Sequence, residues 1–241
     1  MGTALSGVAK TETGKSVIRL PAVQAHEVWA PSYDSMPNPL LALARRSFGN
    51  LLQGRSAKNV IDIACGTGQD LEQLRRTGAN VFGLDACAPM LEKAKKKSVL
   101  AGRLVQGDAA SLPFADNWAD LVICSMSLGY LDDLSIIFRE FARVACPGAS
   151  IIVGDLHPHA IAAGWTRSFK VASISYEIQH FCYSIHQIRQ AAAFGGLSLR
   201  EWSDVRLGWP EFPIFEQAGK IQLFEKFIST PALFLAMWEK L

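Results

Sequence analysis

The stretch Asn59-Val-Ile-Asp62-Ile-Ala64-Cys-Gly66-Thr-Gly68-Gln-Asp-Leu-Glu-Gln-Leu-Arg-Arg76 decides how the rest of the chain is read. An apolar run stops at a turn with two glycines, and an amphipathic stretch follows at once. A strand ending in glycine brings its backbone close to a ligand, and the helix behind it aims free N–H groups at the same place. That context suits nucleotide-like molecules. Taken alone, Gly66 and Gly68 also serve as nothing more than a tight strand-to-helix turn.

The pattern repeats outward from this turn. Residues 80–86, 103–108, 119–126 and 150–156 are further apolar runs, continuous as in strands covered by helices on both faces. Between them lie QDLEQLRRT, APMLEKAKKKSVL and DLSIIFREFARVA, and in the last Leu134, Ile137, Phe138, Phe141 and Val144 recur at helical spacing. This alternation predicts an α/β fold with a parallel sheet. Cys146-Pro147-Gly148 reads as the stop of the preceding helix. Residues 24–53 read as a helical preface. Residues 183–196 read as a helix with Ser184 as N-cap, 197–205 as a strand, about 217–228 as a helix and 231–240 as a last strand. Residues 157–183 break the rhythm and read as a lid inserted over a site. Residues 1–20 have little to bury and read as a flexible tail.

Composition bounds the function. A chain of 241 residues with 49% hydrophobic content supports one sizeable core, here a single domain over 21–241. A net charge of +2 gives no electrostatic reason to expect a nucleic-acid partner. Cys65, Cys87, Cys124, Cys146 and Cys182 are odd in number and lack CxxC spacing, which points to reduced thiols and a cytoplasmic location. No apolar run has the length of a membrane span. His157, His159, His180, Cys182 and His186 are metal-ligand types, but no short ligand pair repeats, so no metal is expected.

Asp85 closes the second apolar run about twenty residues after the glycine turn, where a carboxylate accepts ribose hydroxyls; it also stands where it could cap the next helix. The glycines do not follow GxGxxG. Asp62 ahead of the turn would repel a pyrophosphate and suits a ligand bearing a cationic amine. A nicotinamide-dependent dehydrogenase is therefore the weakest of the readings kept open.

These residues together resemble the class I S-adenosylmethionine-dependent methyltransferases. That family's [DE]xGxGxG turn is matched by DIACGTG, with Ala64 in place of the first glycine. Its acid after the second strand is matched by Asp85 in GLDACAPML, and its GDA-plus-LPF loop by Gly107-Asp108-Ala109-Ala110-Ser111-Leu112-Pro113-Phe114. DLVICSMSLGYLDD followed by FREFARVACPGA looks like the quinone C-methyltransferase and malonyl-carrier O-methyltransferase branch. His26-Glu-Val-Trp29-Ala-Pro-Ser-Tyr33-Asp34 looks like the family's Y-x-x-W-A-x-x-Y-D opening, with His26 in the tyrosine place.

The resemblance implies a Rossmann-like, doubly wound sheet of seven strands, mostly parallel with the last strand reversed, under an N-terminal helical cap (21–56). It implies S-adenosyl-L-methionine as cofactor, with S-adenosyl-L-homocysteine as product. The implied cofactor residues are Tyr33, Asp62, Ala64, Gly66, Gly68, Asp85, Ala86, Met90, Asp108, Ala109 and Ser125. Ser125-Met126-Ser127-Leu128 lacks the Pro-Pro-Tyr/Phe of amino-directed members, and Cys124 follows Ile123 rather than proline. Both departures turn the reading from nucleic acid toward a small molecule methylated at O, N, C or S. Apolar and aromatic residues of the lid and of the later loop (Trp165, Phe169, Tyr176, Phe181, Trp209, Phe212, Phe215) point to an apolar or planar acceptor. His157, just past the fifth strand, and the tyrosines Tyr33 and Tyr130 are the candidate catalytic groups. A protein that binds the cofactor for another purpose, such as a cyclase, is the alternative, and both monomer and homodimer are open.

Overall fold

The computed structural model describes residues 8–10, 16–53 and 55–241. Its strands are β1 (Val8–Lys10), β2 (Ser16–Leu20), β3 (Asn59–Ile63), β4 (Asn80–Asp85), β5 (Leu104–Gln106), β6 (Ala119–Ser125), β7 (Ala145–Leu156), β8 (Ser168–Val171), β9 (Ile174–Ile178), β10 (Leu197–Arg206) and β11 (Pro231–Lys240). Its helices are α1 (Ala22–Trp29), α2 (Pro39–Leu52), α3 (Gln69–Arg76), α4 (Ala88–Lys95), α5 (Leu134–Val144), α6 (Pro158–Ala162), α7 (Ile185–Phe194), α8 (Phe212–Gln217) and α9 (Ile221–Phe227).

Seven strands form the main sheet in the order β10-β11-β7-β6-β3-β4-β5. Only β11 runs against the others, antiparallel to β7 on one side and β10 on the other. This is the doubly wound sheet with a reversed last strand that the sequence implies. Because alternate side chains leave a strand on opposite faces, each central strand feeds two cores. Ile61, Val122 and Ile151 pack with Phe138 of α5 and Ile188 of α7. Their neighbours Val60, Ile123 and Ile152 pack with Phe48 of α2 and Leu71 of α3 on the other face. The helix starts are set locally: Asn38 accepts the N–H groups of Leu40 and Leu41, Asp133 those of Ser135 and Ile136, and Ser184 forms a capping box with Gln187.

The structure departs from the expectations in four places. Of the tail expected over 1–20, residues 1–7 and 11–15 lie outside the described residues, but Val8–Lys10 and Ser16–Leu20 are strands. The expected lid, 157–183, holds α6 and a hairpin of β8 and β9, and β9 pairs in parallel with β2, giving a second sheet ordered β1-β2-β9-β8. The helix expected over 217–228 is two helices, because Gly219 takes φ +64° between them. Cys146-Pro147-Gly148 lies inside β7 as an irregularity in its pairing with β6, since that strand starts directly after α5.

The small sheet and α1 form a roof over the carboxyl ends of the main strands. Ala25 and Trp29 of α1 pack on Phe169 and Ile178 of the hairpin, with Trp29 and Phe169 stacked at 4.7 Å.

Candidate active site

The order of the sheet reverses between β3 and β6, and in open α/β sheets ligands bind outside the carboxyl ends at such a point. A cavity of about 1050 Å³ opens there, bounded by the roof above and the ends of β3, β4 and β6 below.

Its floor is the glycine turn. Ala64, Gly66 and Gly68 all adopt left-handed backbone, with φ of +58°, +54° and +71°. Ala64 holds a conformation that costs an L-residue about 1–2 kcal/mol, so the missing glycine changes the cost of the turn and not its shape. A Cβ on Gly66 would project into open space, whereas one on Gly68 would meet Leu100 Cδ1 at 2.7 Å. Gly66 thus belongs to a cradle for a ligand. Gly68 does not line the cavity; its smallness serves the seating of α3 on its neighbours.

Four aspartates line the cavity around the floor, Asp62, Asp70, Asp85 and Asp108. Asp62 is buried at the end of β3, and burial, reinforced by Asp70 and Asp85 nearby, pushes its carboxyl well above the usual range. A cationic group arriving beside it would relieve that cost. Asp85 accepts the N–H of Gly66 at 2.7 Å and of Cys87 at 2.8 Å, so it ties the glycine turn to the start of α4. Burial raises its pKa while those two bonds pull it back. Asp85 is not the cap of α4: the N-cap is Cys87, with no side-chain cap bond, and Asp85 instead braces the turn between β4 and α4 while lining the cavity. Asp108, exposed, accepts the N–H of Ala110 at 2.9 Å. Ala64, Ala86, Met90, Asp108, Ala109 and Ser125 all line the same cavity. The set fits a molecule with hydroxyls and an ammonium group: carboxyl oxygens ring a glycine cradle.

The roof contributes His26, Trp29 and Tyr33, and the turn after β6 contributes Tyr130. Burial raises the phenol pKa of both Tyr33 and Tyr130. Near neutral pH they are hydrogen-bond donors, not bases. Asp34, next to Tyr33, accepts Thr67 Oγ1 at 2.7 Å and Gln69 Nε2, latching the roof to the glycine turn. Arg167 is buried beside the cavity, pairs with Asp155 at the end of β7, donates to the Met126 carbonyl at 3.0 Å and lies 4.7 Å over the Tyr130 ring.

His157 does not reach the cavity. It is fully buried as N-cap of α6, where Nδ1 accepts the N–H of His159 at 3.0 Å and Nε2 faces Asp204 Oδ1 at 3.2 Å. A backbone N–H bound at Nδ1 requires the proton on Nε2, so the ring is spent on structure. Its place after the fifth strand is as expected, but β10 turns it away through Asp204. Of the aromatic residues named from the sequence, Trp165 and Phe215 line the cavity; Phe169 and Tyr176 stack inside the roof, and Trp209 and Phe181 face solvent.

Sequence reasoning did not place His26, Trp29 or Arg167 in the site. His26 had a signal in its departure from the tyrosine position; Arg167, in Trp-Thr-Arg-Ser, had none. Beyond the glycine turn the cavity continues into a chamber of α2, α8 and α9, walled by Leu40, Ala44, Phe215, Leu223 and Phe227, with Lys220 beside them. The indole N–H groups of Trp29 and Trp165 are buried in the cavity wall and have no protein partner. Among the described residues no helix is long and apolar enough to cross a membrane, and no cluster of three or more metal-ligand side chains occurs.

A family model described as "Methyltransferase domain" matches residues 61–153. Malonyl-[acyl-carrier protein] O-methyltransferase of Hamiltonella defensa is 33% identical over 135 residues, covering 53% of this chain and 52% of that protein. Demethylmenaquinone methyltransferase of Mycobacterium marinum is 30% identical over 196 residues, 73% of this chain and 83% of that protein. With several of the curated relatives the match spans about half of their length or less. A solved S-adenosylmethionine-dependent methyltransferase from Mesorhizobium loti superposes with a TM-score of 0.65 at 16% identity, covering 84% of this chain and all of that one.

Proposed function

The chain belongs to the class I S-adenosylmethionine-dependent methyltransferases, and from that premise we propose that it transfers a methyl group from S-adenosyl-L-methionine to a small, largely apolar or planar acceptor. The observation that carries this reading is the joining of two surfaces in one cavity. One is the acid-ringed glycine cradle; the other is the apolar chamber of α2, α8 and α9.

Bound in the cradle, the cofactor supplies an electrophilic methyl group on a sulfonium whose leaving group needs no proton. The chain's own residues then have three tasks. In this reading Asp85 accepts the ribose hydroxyls, Asp62 faces the cationic amine, and Asp108 with Ala109 meets the base edge. The roof excludes water, and its latch through Asp34 brings Tyr33 to the glycine turn. Tyr130, held under the Arg167 guanidinium, offers a donor that orients an oxygen atom on an acceptor. The chamber beyond takes the acceptor's apolar part.

Isothermal titration with S-adenosylhomocysteine tests the reading. Micromolar binding is expected, together with a rise in stability of about 2.7 kcal/mol at a hundred times the dissociation constant. Binding of NAD with no response to S-adenosylhomocysteine would overturn it.

A further inference from the structure

We propose that His26 is the proton acceptor of this site, its Nε2 taking the hydroxyl proton of a phenolic or enolic acceptor bound beneath the roof. The proposal rests on the methyl-transfer reading above and deepens it by naming the acceptor class as one that must lose a proton.

The argument starts from a hydrogen bond. His26 Nδ1 lies 2.7 Å from the carbonyl oxygen of Ala22, one turn earlier in α1. A carbonyl oxygen only accepts, so the proton sits on Nδ1. In the neutral ring Nε2 is then a bare lone pair. The ring lines the cavity, so that lone pair belongs to a side chain bordering the ligand space. Tyr130 meets the imidazole edge-on at 5.2 Å, and the rings of Trp29 and Tyr33 lie at 6.0 and 6.3 Å. Three aromatic neighbours restrict the ring's orientation and leave the cavity as its open side.

The charge environment keeps the base available. Burial lowers the imidazole pKa most, Asp85 at the end of β4 and the Ala22 carbonyl raise it, and Arg167 ahead of β8 lowers it. The net direction is downward, so His26 is neutral at pH 7. The tyrosines facing it, Tyr33 and Tyr130, are pushed the other way and stay protonated. Among the residues proposed from the sequence as catalytic, His157 is excluded by its burial against Asp204 and the two tyrosines by their raised pKa. His26 is the cavity histidine with an unspent nitrogen. In the proton step the acceptor O–H bond breaks as the Nε2–H bond forms, the electron pair remains on the acceptor oxygen, and the imidazolium returns its proton to solvent.

The test uses the full chain with S-adenosylhomocysteine, and two probes, naphthol and its methyl ether. Nitrogen NMR of histidine-labelled protein at pH 7, with the His26 signals assigned by their loss in His26→Phe, is expected to give a protonated Nδ1 and an unprotonated Nε2. Wild type is expected to bind naphthol roughly fivefold more tightly than the ether, the worth of one hydrogen bond. His26→Phe, which keeps the ring packing, should abolish that preference. A protonated Nε2, equal affinity for the two probes in wild type, or a preference that survives in His26→Phe would each overturn the proposal. The tautomer measurement on wild type stands even if the variant does not fold. Failure of S-adenosylhomocysteine to bind would instead overturn the cofactor assignment, and the two failures are thereby told apart.

Discussion

Breaking the Asp155–Arg167 pair should be the most damaging single change near the site that leaves every proposed cofactor contact in place. Asp155 is buried at the end of β7, where one carboxylate oxygen accepts the Gly129 N–H at 2.7 Å and the other accepts the Leu156 N–H at 2.6 Å and meets Arg167. Arg167 in turn holds the Met126 carbonyl. One ion pair therefore joins the central sheet, the turn after β6 and the approach to β8. Removing one partner of a buried pair strands the other, at a cost of about 3–5 kcal/mol. The two sides are not equal. Arg167→Met leaves a carboxylate that keeps two backbone donors, so it should fall near the lower bound. Asp155→Ala leaves a guanidinium with only the Met126 carbonyl and the Tyr130 face, so it should fall near the upper. At about 2–4 °C per kcal/mol for a chain of this size, the melting midpoint drops by roughly 6–20 °C. Thermal and urea melts of both single variants and of Asp155→Ala/Arg167→Met measure the coupling. The double variant should be less destabilised than the sum of the singles. Full additivity, or single-variant shifts below about 2 °C, would refute the reasoning.

Three further outcomes are expected. Gly68→Ala forces a Cβ to within 2.7 Å of Leu100 Cδ1 at φ +71° and should cost about 1–3 kcal/mol, read as a shifted urea midpoint; an unchanged midpoint would show that the turn relaxes freely. His157→Ala removes the N-cap of α6 and should lower stability by about 1 kcal/mol or more while S-adenosylhomocysteine affinity holds, whereas a selective loss of turnover with full stability would return His157 to the chemistry. Burial holds the Asp85 pKa above its unfolded value, so its carboxyl favours folding below the unfolded pKa of about 3.9, and that contribution is lost as pH rises through the folded one. An ionised carboxylate is the stronger acceptor for ribose hydroxyls, so S-adenosylhomocysteine should bind more tightly as pH rises through that window; calorimetry giving a flat profile from pH 4 to 7 would remove Asp85 from the contact.

What could be read from the sequence was what depends on neighbours along the chain. The central strands β3, β4, β6 and β11 and the second half of β7 were legible as short, largely apolar runs, β5 and the more polar β10 only by their place in the alternation, and α7 because Ser184 and Gln187 cap it within four residues. The acids at strand ends were legible because the strands themselves place them. A cap and a lid over the site were expected, but the sheet that joins them was not legible, since β2 and β9 are five residues each and pair across more than 150 positions, Val17 opposite Ser175. Neither strand has an apolar pattern strong enough to announce itself. His157 fails for a related reason: a position after a strand is local information, but the direction of its ring is decided by Asp204 on β10. Arg167 looks like a surface residue until Asp155 and Met126 are folded around it.

The roof also sets a tempo. Among the described residues its own core is four buried side chains, Ala25, Trp29, Phe169 and Ile178, against more than two dozen in the larger cluster of the sheet beneath, and small buried clusters open at lower free energy than large ones. The strands that cover the site are therefore expected to exchange their amide protons sooner than those that support it, an order that hydrogen exchange checks. Were the four-stranded flap to lift in this way, a molecule would enter and leave without loosening the seven strands below. Residence time at the site then becomes a property of the flap, adjustable by changes to its inner face, while the floor that receives the cofactor keeps its shape.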